Sequence, residues 1–479
     1  MSELRILVKH AGTVLIGQLA IMAFGVADTV IAGRHSVEAL AALSVGSAIY
    51  ISVYVALIGI VQALLPIWAE MRGAHQDIEL GRSVRQALYL CAGVGVFGTA
   101  VLWMPGPLLR WAQVPPSMLA DVESYLRILA VAFVPSLLFR LYSTLNQSLG
   151  RPTLVTWLQI AALAVKIPLS IWLVGGGAGV PAMGAAGCAW ATLVVNYLLL
   201  FLALHLLRTQ DLYKPYRLWS RMERPDGAQL REFLRLGLPG GLAYLVEVTS
   251  FTLMAVFIAR QGVVAAGSHQ IAASMTAMLY MVPLSLALAA SSRVSFWIGR
   301  GDPAQARRLA LMGLGLGLAC VLLTTGTVAV LHREIAGLYS NHAAVVSQAA
   351  ALLLWVCAYH LADATQAVCI FLLRCYRITL RPLIIYGFML WGVGLAGGYV
   401  LAYEGLTWGP WTLAAQHSPT IFWIVATAAL AVVAASFVLM LLRAMRLSLA
   451  GGHHAALSWS SGRPLRTRAA GTRMAKREP

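Results

Sequence analysis

The sequence predicts an all-α integral membrane protein of twelve membrane-spanning helices, arranged as two pseudo-symmetric six-helix lobes with both termini in the cytoplasm. Three observations predict it. Of 479 residues, 59% are hydrophobic and 11% charged, with a mean hydropathy of +0.77; a soluble chain of that length needs far more polar surface. Apolar runs long enough to cross a bilayer core of ~30 Å recur along most of the chain. With twelve spans, 28 of the 35 Lys and Arg residues fall on one side and five on the other. An odd number of spans destroys that asymmetry, and the positive-inside rule puts the basic side in the cytoplasm.

The first six spans are predicted at 11–31, 45–69, 86–109, 122–147, 153–174 and 186–206, and the second six at 233–259, 268–292, 309–331, 345–373, 383–402 and 421–442. Arg5 and Lys9 precede the first run as in a signal peptide. That run is too long, carries Gln18 and Asp28 and lacks a clear cleavage site, so it is read as a span. The spans are then flanked alternately: Arg34 outside, Arg72, Arg82 and Arg85 inside, Arg110 and Arg127 outside, Arg151 inside. Seven basic residues from Arg208 to Arg235 lie inside, Arg260 outside, and four from Arg293 to Arg308 inside. Arg333 is outside, while Arg374, Arg377, Arg381 and eight residues from Arg443 onward are inside. This distribution explains the net charge of +17 without nucleic acid.

The six cysteines, Cys91, Cys188, Cys320, Cys357, Cys369 and Cys375, fall in or at the ends of spans without metal-ligand spacing and read as free buried thiols. Neither a phosphate-binding loop nor a zinc or nucleophile motif occurs, so no cofactor and no catalytic residue is expected. The last segment, 447–479, is rich in Arg, Ala, Ser and Gly; it reads as a disordered basic tail able to touch anionic lipid.

Six spans, a long charged loop, then six more suggest duplication. "ELRILVKHAG" at Glu3 faces "QLREFLRLGL" at Gln229, an offset of 226 that also pairs Gly73 with Gly299 and Arg82 with Arg308. The division is an N-lobe with its linker, 1–226, and a C-lobe, 227–446. An even number of spans per repeat makes the repeats parallel, which suits a carrier that rocks two lobes about a central site.

Ionisable residues inside the spans are the functional candidates. Glu247 lies twelve residues after Arg235, or about 18 Å up the seventh span, and Asp363 eleven before Arg374, or about 16 Å up the tenth. Tyr359, His360 and Gln366 share a face with Asp363, as do Ala243, Ser250 and Met254 with Glu247. Two acids at one depth in one lobe make a candidate cation site that holds Na⁺ by oxygen ligands or shares a proton. The competing reading is two separate carboxyls satisfied within the bundle. In the N-lobe, Gln18, Ile21, Gly25 and Asp28 align on one face, although Asp28, six residues before Arg34, could instead cap the outer helix end. Lys166, about 22 Å up the fifth span, comes near the depth of Asp28 at about 28 Å. A Lys166–Asp28 ion pair is expected; the alternative is a lysine facing the cavity alone.

"FGVADTVIAG", "LAALSVGSAIY", "LGLPGGLAYLVEVTSF", "SHQIAASMTAM" and "LADATQAVCIFLLRCYRITLRP" occur in order along the chain. Together they resemble the MATE (multidrug and toxic compound extrusion) family, NorM-like branch, over nearly all of 1–446. The resemblance implies a V-shaped bundle in the bacterial cytoplasmic (inner) membrane that exports cationic, often aromatic, drugs in exchange for Na⁺ or H⁺. By motif match Asp28 is the N-lobe acid, Glu247 and Asp363 are the C-lobe cation-coupling acids with Tyr359 beside them, and Gln270 and Ser47 line the substrate cavity. The chain departs from the pattern at Cys375 and Ile378, at Asn341 and His342 where some relatives carry acids, and at Lys166, where relatives often have Asn.

The leading expectation is therefore a monomeric antiporter of organic cations whose partners are drugs and the bilayer. Trp68, Tyr280 and Tyr359 are candidate cation–π contacts. A lipid-linked sugar flippase of the same bundle type should show a strongly cationic cavity, and a membrane enzyme a catalytic or metal constellation near the interface.

Overall fold

The computed structural model describes residues 2–111, 115–177, 179–408 and 411–450. Among them, twelve helices are long and apolar enough to cross a membrane. They are α1 Glu3–His35, α2 Val37–Gly73, α3 Asp77–Trp103, α4 Pro116–Ser148, α5 Thr153–Gly175, α6 Ala185–Thr209, α7 Gly227–Ala259, α8 Val263–Gly299, α9 Pro303–Val330, α10 Ala343–Cys375, α11 Leu380–Glu404 and α12 Pro419–Leu449. In lipid every backbone polar group needs an internal partner, and a helix supplies one within its own segment. An antiparallel strand pair, β1 Leu406–Trp408 and β2 Trp411–Leu413, lies outside the spans between α11 and α12.

Most helices overrun the predicted spans because polar residues at their ends still satisfy the backbone. Ser36 ends α1 and caps α2, accepting from Ala39 N at 3.0 Å. Asp226 caps α7 through Ala228 N at 3.0 Å and Gln229 N at 3.3 Å. Asp302 caps α9 through Gln305 N at 2.8 Å. At the other end, α12 runs to Leu449 with Ala450 as its C-cap, so its last turn occupies the start of the segment read as a tail, and 451–479 lie outside the described residues.

Several helices carry residues that interrupt regular α-helical hydrogen bonding. Pro66 has no N–H to offer Gln62 O, and α2 breaks at Ala63. Prolines 135, 168, 239 and 283 sit inside α4, α5, α7 and α8. The glycine-rich α11 widens to π-helical winding over Phe388–Gly397 and again over Val400–Glu404.

Two apolar cores organise the bundle, one built largely from 32–199 and the other from 243–445. Their membership is exchanged at the entry of each repeat. Leu7 and Val14 of α1 pack in the C-lobe core, while Phe233 and Leu236 of α7 pack in the N-lobe core. Leu7 and Phe233 are separated by the repeat offset of 226, so the exchange is itself symmetric. A boundary at 226 therefore divides the repeats in sequence but cuts across the packing.

The two lobes join at the arginine-rich end. Arg293 Nη2 meets Glu3 Oε1 at 2.7 Å, and Arg377 Nη2 meets Glu70 Oε2 at 2.9 Å. Arg377 also reaches Glu232 Oε1 at 3.7 Å, and Ser292 Oγ donates to Gln147 O at 2.8 Å. Beside this seam the 210–226 linker is held on α3. Arg85 grips the Glu223 carboxylate through Nε and Nη2 and donates to Arg217 O, while Tyr89 donates to Glu223 O.

Candidate functional site

The N-lobe encloses a cavity of about 530 Å³, within the range that holds a drug-sized molecule. Helices α1, α2, α4, α5 and α6 line it, and Met281 of α8 adds a C-lobe contact. Asp28 and Lys166 both reach it, and Lys166 Nζ lies 2.9 Å from Asp28 Oδ2. The pair is completed by short polar groups. Lys166 donates to Thr192 Oγ1 at 2.7 Å, Ser170 Oγ donates to Asp28 Oδ1 at 3.2 Å, and Phe24 lies beneath the ammonium at 5.7 Å. Lys166 is 1% exposed, so it is buried with its acid and does not face the cavity alone. Asp28 caps no helix end, because α1 continues to His35.

Ser47 also lines this cavity, its hydroxyl donating to Ser44 O at 3.2 Å. Gln270 does not line it. It is exposed on α8 and donates to Ser274 Oγ at 3.5 Å. Trp68, read as a cation–π candidate, is fully buried in the N-lobe core with its indole N–H on Ser83 Oγ at 3.0 Å. Tyr280 is half-buried on α8. The rings that do line the cavity are Phe24, Tyr50, Tyr54, Tyr125 and Phe139; Tyr50 and Tyr54 stack at 5.5 Å.

The C-lobe brings Glu247 of α7 and Asp363 of α10 into electrostatic reach of each other. Asp363 is buried and accepts from Gln366 Nε2 at 3.2 Å; Glu247 is half-buried. Among the described residues neither carboxylate has an ion-pair partner. Tyr359 stands beside them in an edge-to-face cluster, 5.8 Å from Phe251 and 5.5 Å from Trp423. Between these rings and the widened part of α11 is a cavity of about 30 Å³, the size of a water or a small ion.

The surroundings are polar beyond what protein contacts satisfy. The Ser250 hydroxyl, the Trp423 indole N–H, the Tyr386 hydroxyl and both ring nitrogens of His360 are buried without hydrogen-bond partners. Tyr386 neighbours Glu247 yet makes no well-formed bond to it. Groups in this condition suit a site that exchanges a small polar guest. Among the described residues no cluster of three His, Cys, Asp or Glu side chains is shaped for a resident metal.

Tyr386, Trp423, Thr192 and Ser170 were not singled out in the sequence, since isolated hydroxyls and aromatics in apolar runs carry no spacing signal. Arg140, which lines the N-lobe cavity, did carry one: it is a formal charge well inside a span.

The MatE family model matches residues 14–173 and 239–400, so it matches the two repeats separately. The "Probable multidrug resistance protein NorM" of Aromatoleum aromaticum is 35% identical over 419 residues, covering 87% of this chain and 89% of that one. The protein of the same description in Neisseria meningitidis serogroup B is 32% identical over 84% of this chain and 88% of its own length. Multidrug resistance protein PmpM of Pseudomonas aeruginosa is 34% identical over 85% of each chain. The crystal structure of the eukaryotic MATE transporter AtDTX14 superposes with a TM-score of 0.81 at 17% identity, over 93% of this chain and 97% of that one. A MATE structure in the straight conformation gives 0.83 at 15%, over 94% and 97%. At such identities the solved structures speak for the fold alone. The family match and the NorM relatives go further, and the chain belongs to the MatE family of multi-pass membrane transporters.

Proposed function

We propose that this chain is a multidrug efflux antiporter of the bacterial inner membrane, expelling organic cations in exchange for Na⁺ or H⁺. The observation that carries the reading is the pair Glu247 and Asp363, two carboxylates inside spanning helices that no basic residue among the described ones neutralises. Keeping one such acid costs roughly 2.5–3.5 kcal/mol on insertion scales, so two within electrostatic reach of each other favour a role in which a cation comes and goes. A cation biases the two lobe arrangements only through its different affinity for them. Glu247 on α7 and Asp363 on α10 can supply that difference, because a cation drawn between them pulls on two helices at once. The description of the NorM and PmpM relatives as multidrug resistance proteins supports the same reading.

The test is uptake of a lipophilic cation such as tetraphenylphosphonium into proteoliposomes under separately imposed Na⁺ and pH gradients. Gradient-driven counterflow with one ion and not the other identifies the coupling ion. Equal, slow leakage under both gradients and neither overturns the antiporter.

A further inference from the structure

The N-lobe cavity does not have the charge that cation binding alone would favour. Its lining includes one acid, Asp28, and two basic residues, Lys166 and Arg140. Asp28 is taken up by Lys166 at 2.9 Å, so the charge left over is the guanidinium of Arg140. Among the described residues Arg140 has no ion-pair partner, and none of its side-chain N–H groups hydrogen-bonds to the protein. It lies eight residues before the end of α4, or about 12 Å inside the helix terminus. A snorkelling arginine would leave the interior for the interface; Arg140 lines the cavity instead.

The neighbouring groups make a site of it. Ser136 and Ser143, one turn to either side on α4, line the same cavity. The Ser143 hydroxyl accepts from Gln147 Nε2 at 3.2 Å and so keeps its own hydrogen to donate. Ser136 spends its hydrogen on Ala132 O at 2.7 Å. Phe139 and the stacked Tyr50 and Tyr54 supply aromatic walls. Asp28 is far away: Tyr125, which neighbours it, precedes Arg140 by fifteen residues, or about 22 Å of helix. The cavity is therefore an apolar, aromatic slot with a fork of donors at one end and a neutralised pair at the other.

We infer that this slot is a binding site for organic anions with an aromatic body, the carboxylate held by the Arg140 guanidinium and the Ser143 hydroxyl. A planar carboxylate matches the guanidinium fork in a way that a diffuse cation cannot. Glu247 and Asp363 do not line this slot, although Tyr244 feels the charge of both Arg140 and Glu247, and a zwitterion offers each lobe the charge it complements.

The experiment uses the full chain in phosphatidylcholine nanodiscs, with binding of 2-naphthoate compared with that of its neutral isostere 2-naphthamide. Wild type is expected to prefer the acid by tenfold or more, the gain of a charge-assisted pair. Arg140→Gln should remove the preference, and Arg140→Lys should restore part of it, since the charge returns without the fork. Ser143→Ala should lower it less. Monodisperse elution and an unchanged melting curve for each variant separate lost binding from lost folding. Equal affinity for acid and amide in wild type, or a preference that survives Arg140→Gln, overturns the proposal. So does loss of naphthoate binding when the discs contain phosphatidylglycerol, which would assign Arg140 to a lipid headgroup. Tetraphenylphosphonium transport is measured in parallel, so failure of cation export leaves the naphthoate result standing, and the reverse.

Discussion

Lys166 Nζ stands 2.9 Å from Asp28 Oδ2 across α5 and α1, an ion pair closed by Thr192 and Ser170 in the wall of the N-lobe cavity. Two spanning helices, already joined by the hydrogen bond from Thr156 Oγ1 to Thr13 O at 2.8 Å, are thereby tied at a second point by charge. Taking either partner away leaves the other charged in a low-dielectric wall, which in buried pairs typically costs about 3–5 kcal/mol.

Lys166→Ala should accordingly destabilise the protein strongly, and adding Asp28→Asn should recover much of the loss. Thermal unfolding of both single variants and the double variant in one detergent gives the coupling. Purely additive shifts would show that the two side chains are neighbours without being partners.

Glu247→Gln and Asp363→Asn should each abolish gradient-driven export of tetraphenylphosphonium while leaving the fold intact. Both substitutions keep the size of the side chain and remove the charge that a coupling cation needs. Reconstitution at matched amounts decides it. Driven rates at the wild-type level from either variant would remove that residue from the coupling site.

How much of this was legible in the sequence differs between elements for physical reasons. The twelve spans were, because a bilayer imposes a run length that apolar residues must fill. Their ends were not, because polar caps such as Ser36 and Asp226 extend helices past the apolar stretch. The pairing of Asp28 with Lys166 was legible, since an ammonium and a carboxylate at similar depth in one lobe have few other solutions. The exchange of Leu7 and Phe233 between cores was not, because leucine and phenylalanine look the same in either lobe. Arg140 was overlooked although the reasoning that picked out Glu247 applies to it equally.

The clamp on the linker makes a pH prediction. The Arg85 guanidinium, hydrogen-bonded to Glu223, holds that carboxyl down at about 2, against an ordinary value of 4.5. A carboxylate whose pKa is lowered on folding contributes stability that is complete above the ordinary value and disappears as the pH falls through the lowered one. Glu223→Gln should therefore melt earlier than wild type at neutral pH, by an amount of order 1 kcal/mol for a partly exposed pair. The gap should narrow from about pH 4.5 and close near pH 2. A gap independent of pH would mean that the Tyr89 and Arg217 contacts, not the carboxylate, hold the linker.

Gly73 and Gly299, related by the repeat offset, meet at the seam between the lobes. A Cβ on Gly73 would strike the carbonyl oxygen of Phe296, and one on Gly299 would strike that of Glu70. Both obstacles are backbone, so neither can rotate away as a flexible side chain would. The same seam carries the Arg293–Glu3 and Arg377–Glu70 ion pairs, which place one partner each on α8 and on α2. Gly73→Ala or Gly299→Ala should force the helices apart and weaken those pairs, with an overpacking cost of about 1–3 kcal/mol. Gly93→Ala is the control, since nothing lies within 4 Å of its added methyl. Hydrogen exchange of the backbone amides in 64–73 and 292–299 reads the seam directly. Faster exchange there in both seam variants, and not in the control, is the expected result. Unchanged exchange in Gly73→Ala would show that the lobes can part at this point without loss, so that the glycine contact does not hold the seam closed.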